Sequence, residues 1–159
     1  MKTKKLSQLI KDMKLDYCNS DITEENFPEQ GKREKVSKIF KFDKNMISEE
    51  AIAEMDKEGY RPATIYELLE WDWDGKDWIF ALGSVWQDRS GDRRVPYLSR
   101  GGSLRELHLC WFGYGWSGLC RFAAVRKSET PDSLISGVSG LLNSLEIKIG
   151  EKKYKLIEI

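Results

Sequence analysis

The sequence predicts an α+β fold, with helices early and an irregular antiparallel sheet late. Three observations carry this expectation. Up to Leu69, apolar residues recur at helical spacing beside capping residues. From Trp78 onward, short apolar runs are separated by Gly, Asp and Ser, the texture of strands joined by turns. The 159 residues, 40% hydrophobic and 11% aromatic, supply apolar mass for one core, so 1–159 is read as a single domain.

Leu6, Leu9, Ile10 and Met13 share one helical face, with Thr3 as N-cap, which makes a short amphipathic opening helix. That face suits a core contact or an oligomer seam. Residues 19–35 mix Asn, Asp, Pro, Gly and charge without a period and read as a surface loop, so 1–35 is an N-terminal helix and loop. Val36, Phe40 and Phe42 with intervening lysines read as a half-buried strand. Ser48-Glu49-Glu50 opens a second helix at its acidic end, Ile52 and Met55 mark its buried face, and Gly59 closes it. Thr64-Ile-Tyr-Glu67 has capping-box form, and Pro62 upstream forces an extended approach to a third helix through Leu68 and Leu69. Four strands are then expected, at Ile79–Trp86, Arg94–Leu98, Leu104–Phe112 and Leu119–Arg126. Thr130-Pro131-Asp132 breaks the chain. Beyond it, 132–159 is an extension with a hairpin, built from the alternation of Leu145, Ile147 and Ile149 and the return at Tyr154–Ile159.

Composition narrows the chemistry. Lys plus Arg and Asp plus Glu are both 26, so the chain lacks the basic field expected of a nucleic-acid binder. Cys18, Cys110 and Cys120 are too few for a disulfide scaffold and suit a reducing compartment. No signal-peptide core or membrane span is visible, which points to the cytoplasm, with a virion the other setting left open. The single histidine, His108, excludes a multi-histidine metal centre, and no cofactor or metal is expected.

As a period-two strand, Leu104–Phe112 puts Leu107, Leu109 and Trp111 on a core face and Glu106, His108 and Cys110 on the other. A carboxylate, an imidazole and a thiol side by side share no chemistry. The mixture continues through Gly113-Tyr-Gly-Trp-Ser-Gly-Leu-Cys120, where Trp116 is an anchor.

In order along the chain stand Gly59-Tyr-Arg-Pro-Ala-Thr-Ile-Tyr-Glu-Leu-Leu69, Ala81-Leu-Gly-Ser-Val-Trp86, Arg94-Val-Pro-Tyr-Leu98, Leu107-x-Leu-x-Trp-Phe112, Trp116 and Arg121-Phe-Ala-Ala-Val-Arg-Lys127. This ordered set resembles the variable proteins of diversity-generating retroelements, over about residues 36–127. The resemblance implies a C-type lectin fold, in the branch shared with formylglycine-generating enzymes, with a variable region at about 98–121. Arg100-Gly-Gly-Ser103 and Arg121-Phe-Ala-Ala-Val-Arg126 are similar to that branch's Arg-Gly-Gly-Ser-Trp and closing Gly-Phe-Arg segments, except that Leu104 replaces the Trp.

In such systems error-prone copying of adenines turns AAY codons into NNY codons, which never encode Trp, Lys, Glu, Gln or Met. Ser99, Arg100, Arg105, His108, Cys110, Gly113, Tyr114, Ser117, Gly118, Leu119 and Cys120 belong to the permitted set and form the expected ligand-binding surface. Leu107, Leu109, Trp111, Trp116 and Phe122 are the expected scaffold, and Glu106 and Lys127 are constant. Tyr114 is the foremost anchor, Arg100, Arg105 and His108 add directional hydrogen bonds, and Gly113 and Gly118 leave room for a partner. The resemblance thus implies a non-enzymatic protein that binds a protein or other macromolecule.

Two alternatives follow from the same branch and fold. Cys110 and Cys120 as a thiolate pair on copper would make an enzyme. A glycan-binding lectin would use calcium or an aromatic platform of Trp71, Trp73 and Trp78, but Asp72, Asp74 and Asp77 lack EF-hand spacing and read as a solvated turn, and the tryptophans read as core.

Overall fold

In the computed structural model, which describes residues 3–113 and 115–127, helical spacing sets α1 (Leu6–Asp12): Leu6 and Leu9 are buried and Lys11 and Asp12 face solvent. Its N-cap is Lys5, without a side-chain cap, rather than Thr3. Leu6 and Leu9 pack with α3 (Ile65–Glu70) into a core, so the apolar face of α1 is an internal contact. The 19–35 stretch also contributes, because Ile22 and Phe27 are buried in the same core. A two-residue strand that alternation could not reveal, β1 (Tyr17–Cys18), precedes it.

β2 (Lys38–Lys41) is shorter than the expected 36–42 strand. In α2 (Ser48–Lys57), Ile47 is the N-cap, its N–H donates to Glu50 Oε1 at 3.1 Å, and Gly59 turns the chain just beyond the helix at φ +84°. β3 (Tyr60–Pro62) follows. The capping box at α3 is reciprocal: Glu67 N–H donates to Thr64 Oγ1 at 3.2 Å and Thr64 N–H to Glu67 Oε1 at 3.0 Å. Glu67 is 1% exposed, and burial alone would raise its pKa. Two bonds from Arg61, at 2.8 and 2.7 Å, and the amides of Thr64 and Glu34 outweigh burial and hold it below the ordinary value.

The expected continuous strand at 79–86 is two short ones, β4 (Ile79–Phe80) and β5 (Trp86–Gln87). Between them Gly83 presses on the segment before α3: its N–H donates to Ala63 O at 2.9 Å, and a Cβ there would lie 2.6 Å from the carbonyl oxygens of Pro62 and Ala63. That close approach bends the run out of strand geometry. β6 (Arg93–Gly101), β7 (Leu104–Trp111) and β8 (Arg121–Arg126) lie near their expected positions.

The fold is mixed helix and sheet, with strand order β1-β7-β6-β4-β8-β2, β3 on β8 and β5 on β6. The sheet is mixed rather than antiparallel, since β1 runs parallel to β7 and β4 parallel to β8. Ile79, Leu98 and Leu107 meet α1 and α3 in one cluster, while Phe80, Val95, Trp116 and Phe122 meet Ala51 and Met55 of α2 in another. Each fully buried aliphatic or aromatic side chain contributes about 1.5–3 kcal/mol. Apolar packing on both faces has a consequence for β7: neither of its faces is wholly solvent.

The chain divides into two units, Met1–Arg126 and Lys127–Ile159. The expected break at 130–132 and the C-terminal hairpin lie outside the described residues.

Candidate functional site

Ring packing builds the site. Phe80 of β4 is 2% exposed and stacks on Tyr97 of β6, centroids 4.7 Å apart, and meets Trp116 at 4.5 Å. Trp116 is 1% exposed and pinned three ways. Its N–H and C=O exchange bonds with Met46 at 2.6 and 2.9 Å, and its Nε1–H donates to Ser48 Oγ at 2.8 Å. Ser48 Oγ in turn donates to the Phe112 carbonyl. The loop joining β7 to β8 is thereby anchored at Phe112 and Trp116.

Above this floor opens a groove of about 620 Å³. Cys110, Ser117, Leu119 and Cys120 line it, so the structure gathers four of the expected binding residues. The other wall comes from the loop before β4, at Lys76, Asp77 and Trp78, and Arg121 closes one end. Ser117 organises the lip: Leu119 N–H donates to its Oγ at 3.3 Å, Cys120 N–H to its carbonyl at 3.1 Å, and the Cys120 thiol lies 3.9 Å from its Oγ. Leu119 is 82% exposed.

His108 sits beside the groove through Tyr97, its register partner, at 5.5 Å between centroids. The row extends to Tyr17 on one side, at 5.0 Å from His108, and to Trp78 on the other, at 5.7 Å from Tyr97. Glu106 Oε1 lies 3.0 Å from His108 Nε2. His108, Cys110 and Cys120 are half-buried, neither sealed in the interior nor fully on the surface.

The remaining expected binding residues are placed differently. Ser99 is buried at 4% exposed, opposite Glu106, not outward. Arg100 and Arg105 are register partners and share the face of Leu98 and Leu107, away from His108 and Cys110. Both are committed to backbone: Arg100 donates to the Gly75 and Gly102 carbonyls, each at 3.1 Å, and Arg105 to the Met13 carbonyl at 3.0 Å while lying over the Trp73 ring. The two glycines also part company. A Cβ on Gly113 meets nothing within 4 Å, whereas one on Gly118 would lie 3.2 Å from Phe42 O. Tyr114 lies outside the described residues.

Among the expected scaffold residues, Leu107, Trp116 and Phe122 are buried and Leu109 is half-buried. Trp111 is 54% exposed, because the strand end passes beyond the helices that cover Leu107, and it packs under the Arg94 guanidinium instead. The tryptophans expected in the core split as well: Trp73 is buried, Trp71 half-buried and Trp78 50% exposed. Sequence reasoning missed Trp78, Phe80, Tyr97 and Arg121 as groove residues. The signal for Tyr97 was its period-two relation to Val95, which puts both on one face of their strand.

Burial pushes the Cys110 thiol up. Burial, with Cys110 and Glu106 adding to it, likewise raises the Tyr97 phenol. Among the described residues no group of three or more His, Cys, Asp and Glu could hold a metal ion, and no helix is long and apolar enough to cross a membrane. The groove thus has an aromatic floor under a lip of small, aliphatic and thiol side chains. Comparison with family models, curated proteins and solved structures finds no match to this chain.

Proposed function

We propose that the chain is a variable protein of a diversity-generating retroelement, with a C-type lectin fold, and that it binds a protein or other macromolecule without catalysing a reaction. The observation that carries this reading is the division within the groove. Phe80 and Trp116, 2% and 1% exposed, form a floor fixed by packing and hydrogen bonds, while Cys110, Ser117, Leu119 and Cys120, all NNY-encodable, form its changeable lining. Changes at such rim positions cost little stability, typically within about 0.5 kcal/mol each. His108, beside the groove, and Gly113, with open space around it, fit the same surface. The burial of Ser99 and the backbone bonds of Arg100 and Arg105 restrict the proposed surface to the His108–Cys120 part of the region.

The DNA beside the gene tests this. The reading expects a near-identical repeat next to a reverse-transcriptase gene, differing where the template carries adenine. No repeat, or mismatches spread over all four bases, overturns it.

A second reading, a copper-dependent enzyme of the formylglycine-generating type, draws on one observation: Cys110 and Cys120 line the same groove. Stoichiometric Cu(I) binding lost in Cys110→Ser would favour it over the first.

A further inference from the structure

Along a strand, successive residues turn their N–H and C=O alternately to one neighbour and the other. On β7 the even-numbered residues face β6, and Phe112 continues that side by donating to Arg93 O at 2.8 Å. The odd-numbered ones face outward: Arg105 O accepts from Asp16 N–H at 2.8 Å and Leu107 O from Asn19 N–H at 2.9 Å. Pro96 fixes the same parity independently. It is the register partner of Leu109, has no N–H to give, and its carbonyl accepts from Ala81 on the far side at 3.0 Å.

β1 pairs only with Glu106 and Leu107, so it leaves the second half of β7 uncovered. There the N–H and C=O of Leu109 and of Trp111 point out of the sheet edge, with no backbone hydrogen-bond partner among the described residues. Exposed edges in monomers are usually blunted by Lys, Pro or a bulge. From His108 to Phe112 there is no Lys, Pro or acidic residue. Trp111 and Tyr17, 54% and 45% exposed, bracket the gap.

We infer that this edge is a self-association surface, on which Leu109–Trp111 pairs antiparallel with the same segment of a second copy of the chain. The edge is its own complement. With a two-fold axis at Cys110, Leu109 of each copy faces Trp111 of the other, which satisfies all four outward groups in each copy and sets no like charges opposite one another. No side chain from Leu109 to Trp111 is charged, and the Arg94 guanidinium over Trp111 is already paired with Asp88 at 2.7 Å, so a charged partner strand finds no free counter-charge there. The pairing brings the two Cys110 residues together as a non-hydrogen-bonded pair, with Cα atoms about 4.5 Å apart. It is independent of the ligand reading, which concerns the groove.

The full chain carrying Cys18→Ser and Cys120→Ser, with Cys110 its only cysteine, tests this with a short bismaleimide, each thiol adding across one maleimide double bond. The expected result is a cross-linked dimer that grows with protein concentration, and a light-scattering mass that rises from 18.4 kDa toward twice that value. Both are lost in Trp111→Lys, which puts a charge on the edge, and in Trp111→Pro, which removes one outward N–H while leaving the β6 ladder intact; circular dichroism establishes that each is folded. A monomer mass at every concentration, or cross-linking unchanged in both folded variants, overturns the inference. So does slow hydrogen exchange of the Leu109 and Trp111 amides in dilute monomer, since another part of the chain would then occupy the edge.

Discussion

Ser48→Ala is the sharpest probe of how the groove is held. The hydroxyl, buried at 0% exposed, accepts from Trp116 Nε1 at 2.8 Å and donates to the Phe112 carbonyl. Its removal strands one donor and one acceptor in a site where Phe112 and Trp116 are 5% and 1% exposed, so water cannot readily replace it. Leaving a buried polar group unsatisfied costs about 1–3 kcal/mol, so the pair predicts a loss of about 3 kcal/mol. That is a large part of the roughly 5–15 kcal/mol that holds a domain folded. Urea denaturation followed by tryptophan fluorescence measures it: at about 1.5 kcal/mol/M, the midpoint falls by about 2 M. Glu49→Ala is the control. Its ion pair with Arg93, at 3.6 Å, joins two side chains more than half exposed and is worth about 0–1 kcal/mol. If Ser48→Ala falls within about 0.5 kcal/mol of the control, the hydroxyl does not anchor the loop and the reasoning fails.

Further outcomes follow from other contacts. Glu67→Gln leaves Arg61 without its buried counter-charge and costs about 3 kcal/mol by denaturation. Because the native carboxyl is held below the unfolded value of 4.5, its contribution is complete above that pH and fades as pH falls through the lowered native value. Wild-type stability therefore drops more steeply below about pH 4.5 than that of Glu67→Gln, and parallel curves would contradict the assignment. Gly83→Ala forces the Cβ against two carbonyl oxygens at 2.6 Å and costs about 1–3 kcal/mol by thermal melting. Leu107→Ala, at a fully buried position, costs about 2–5 kcal/mol, also by thermal melting.

Local rules were legible where they act alone. The α3 capping box needs only Thr64 and Glu67, and β7 announces itself by alternation over eight residues. The two- and three-residue strands β1, β3, β4 and β5 are too short for any period, and pairing rather than propensity creates them. The run from Ile79 to Trp86 looks like one strand because its apolar residues are continuous; only the approach of Gly83 to the Ala63 backbone, a long-range contact, divides it. At the site, parity correctly separated His108 and Cys110 from Leu107, and the same parity puts Arg105 with Leu107. Trp111 breaks the pattern because alternation assigns a face without saying how far along the strand the covering layer extends. The half-burial of Cys110 depends on the second core around Phe80 and Trp116, which is assembled from segments far apart in the chain and leaves no mark in the local sequence.

The central claim is that a fixed framework carries a replaceable groove lining. Simultaneous substitution of Cys110→Ser, Ser117→Asn, Leu119→His and Cys120→Ser, all to NNY-encoded residues, measures it most directly by urea unfolding. The account predicts one cooperative transition with a total loss of no more than about 2 kcal/mol. Loss of cooperative unfolding, or a cost of the size expected for the buried Leu107→Ala, would contradict it.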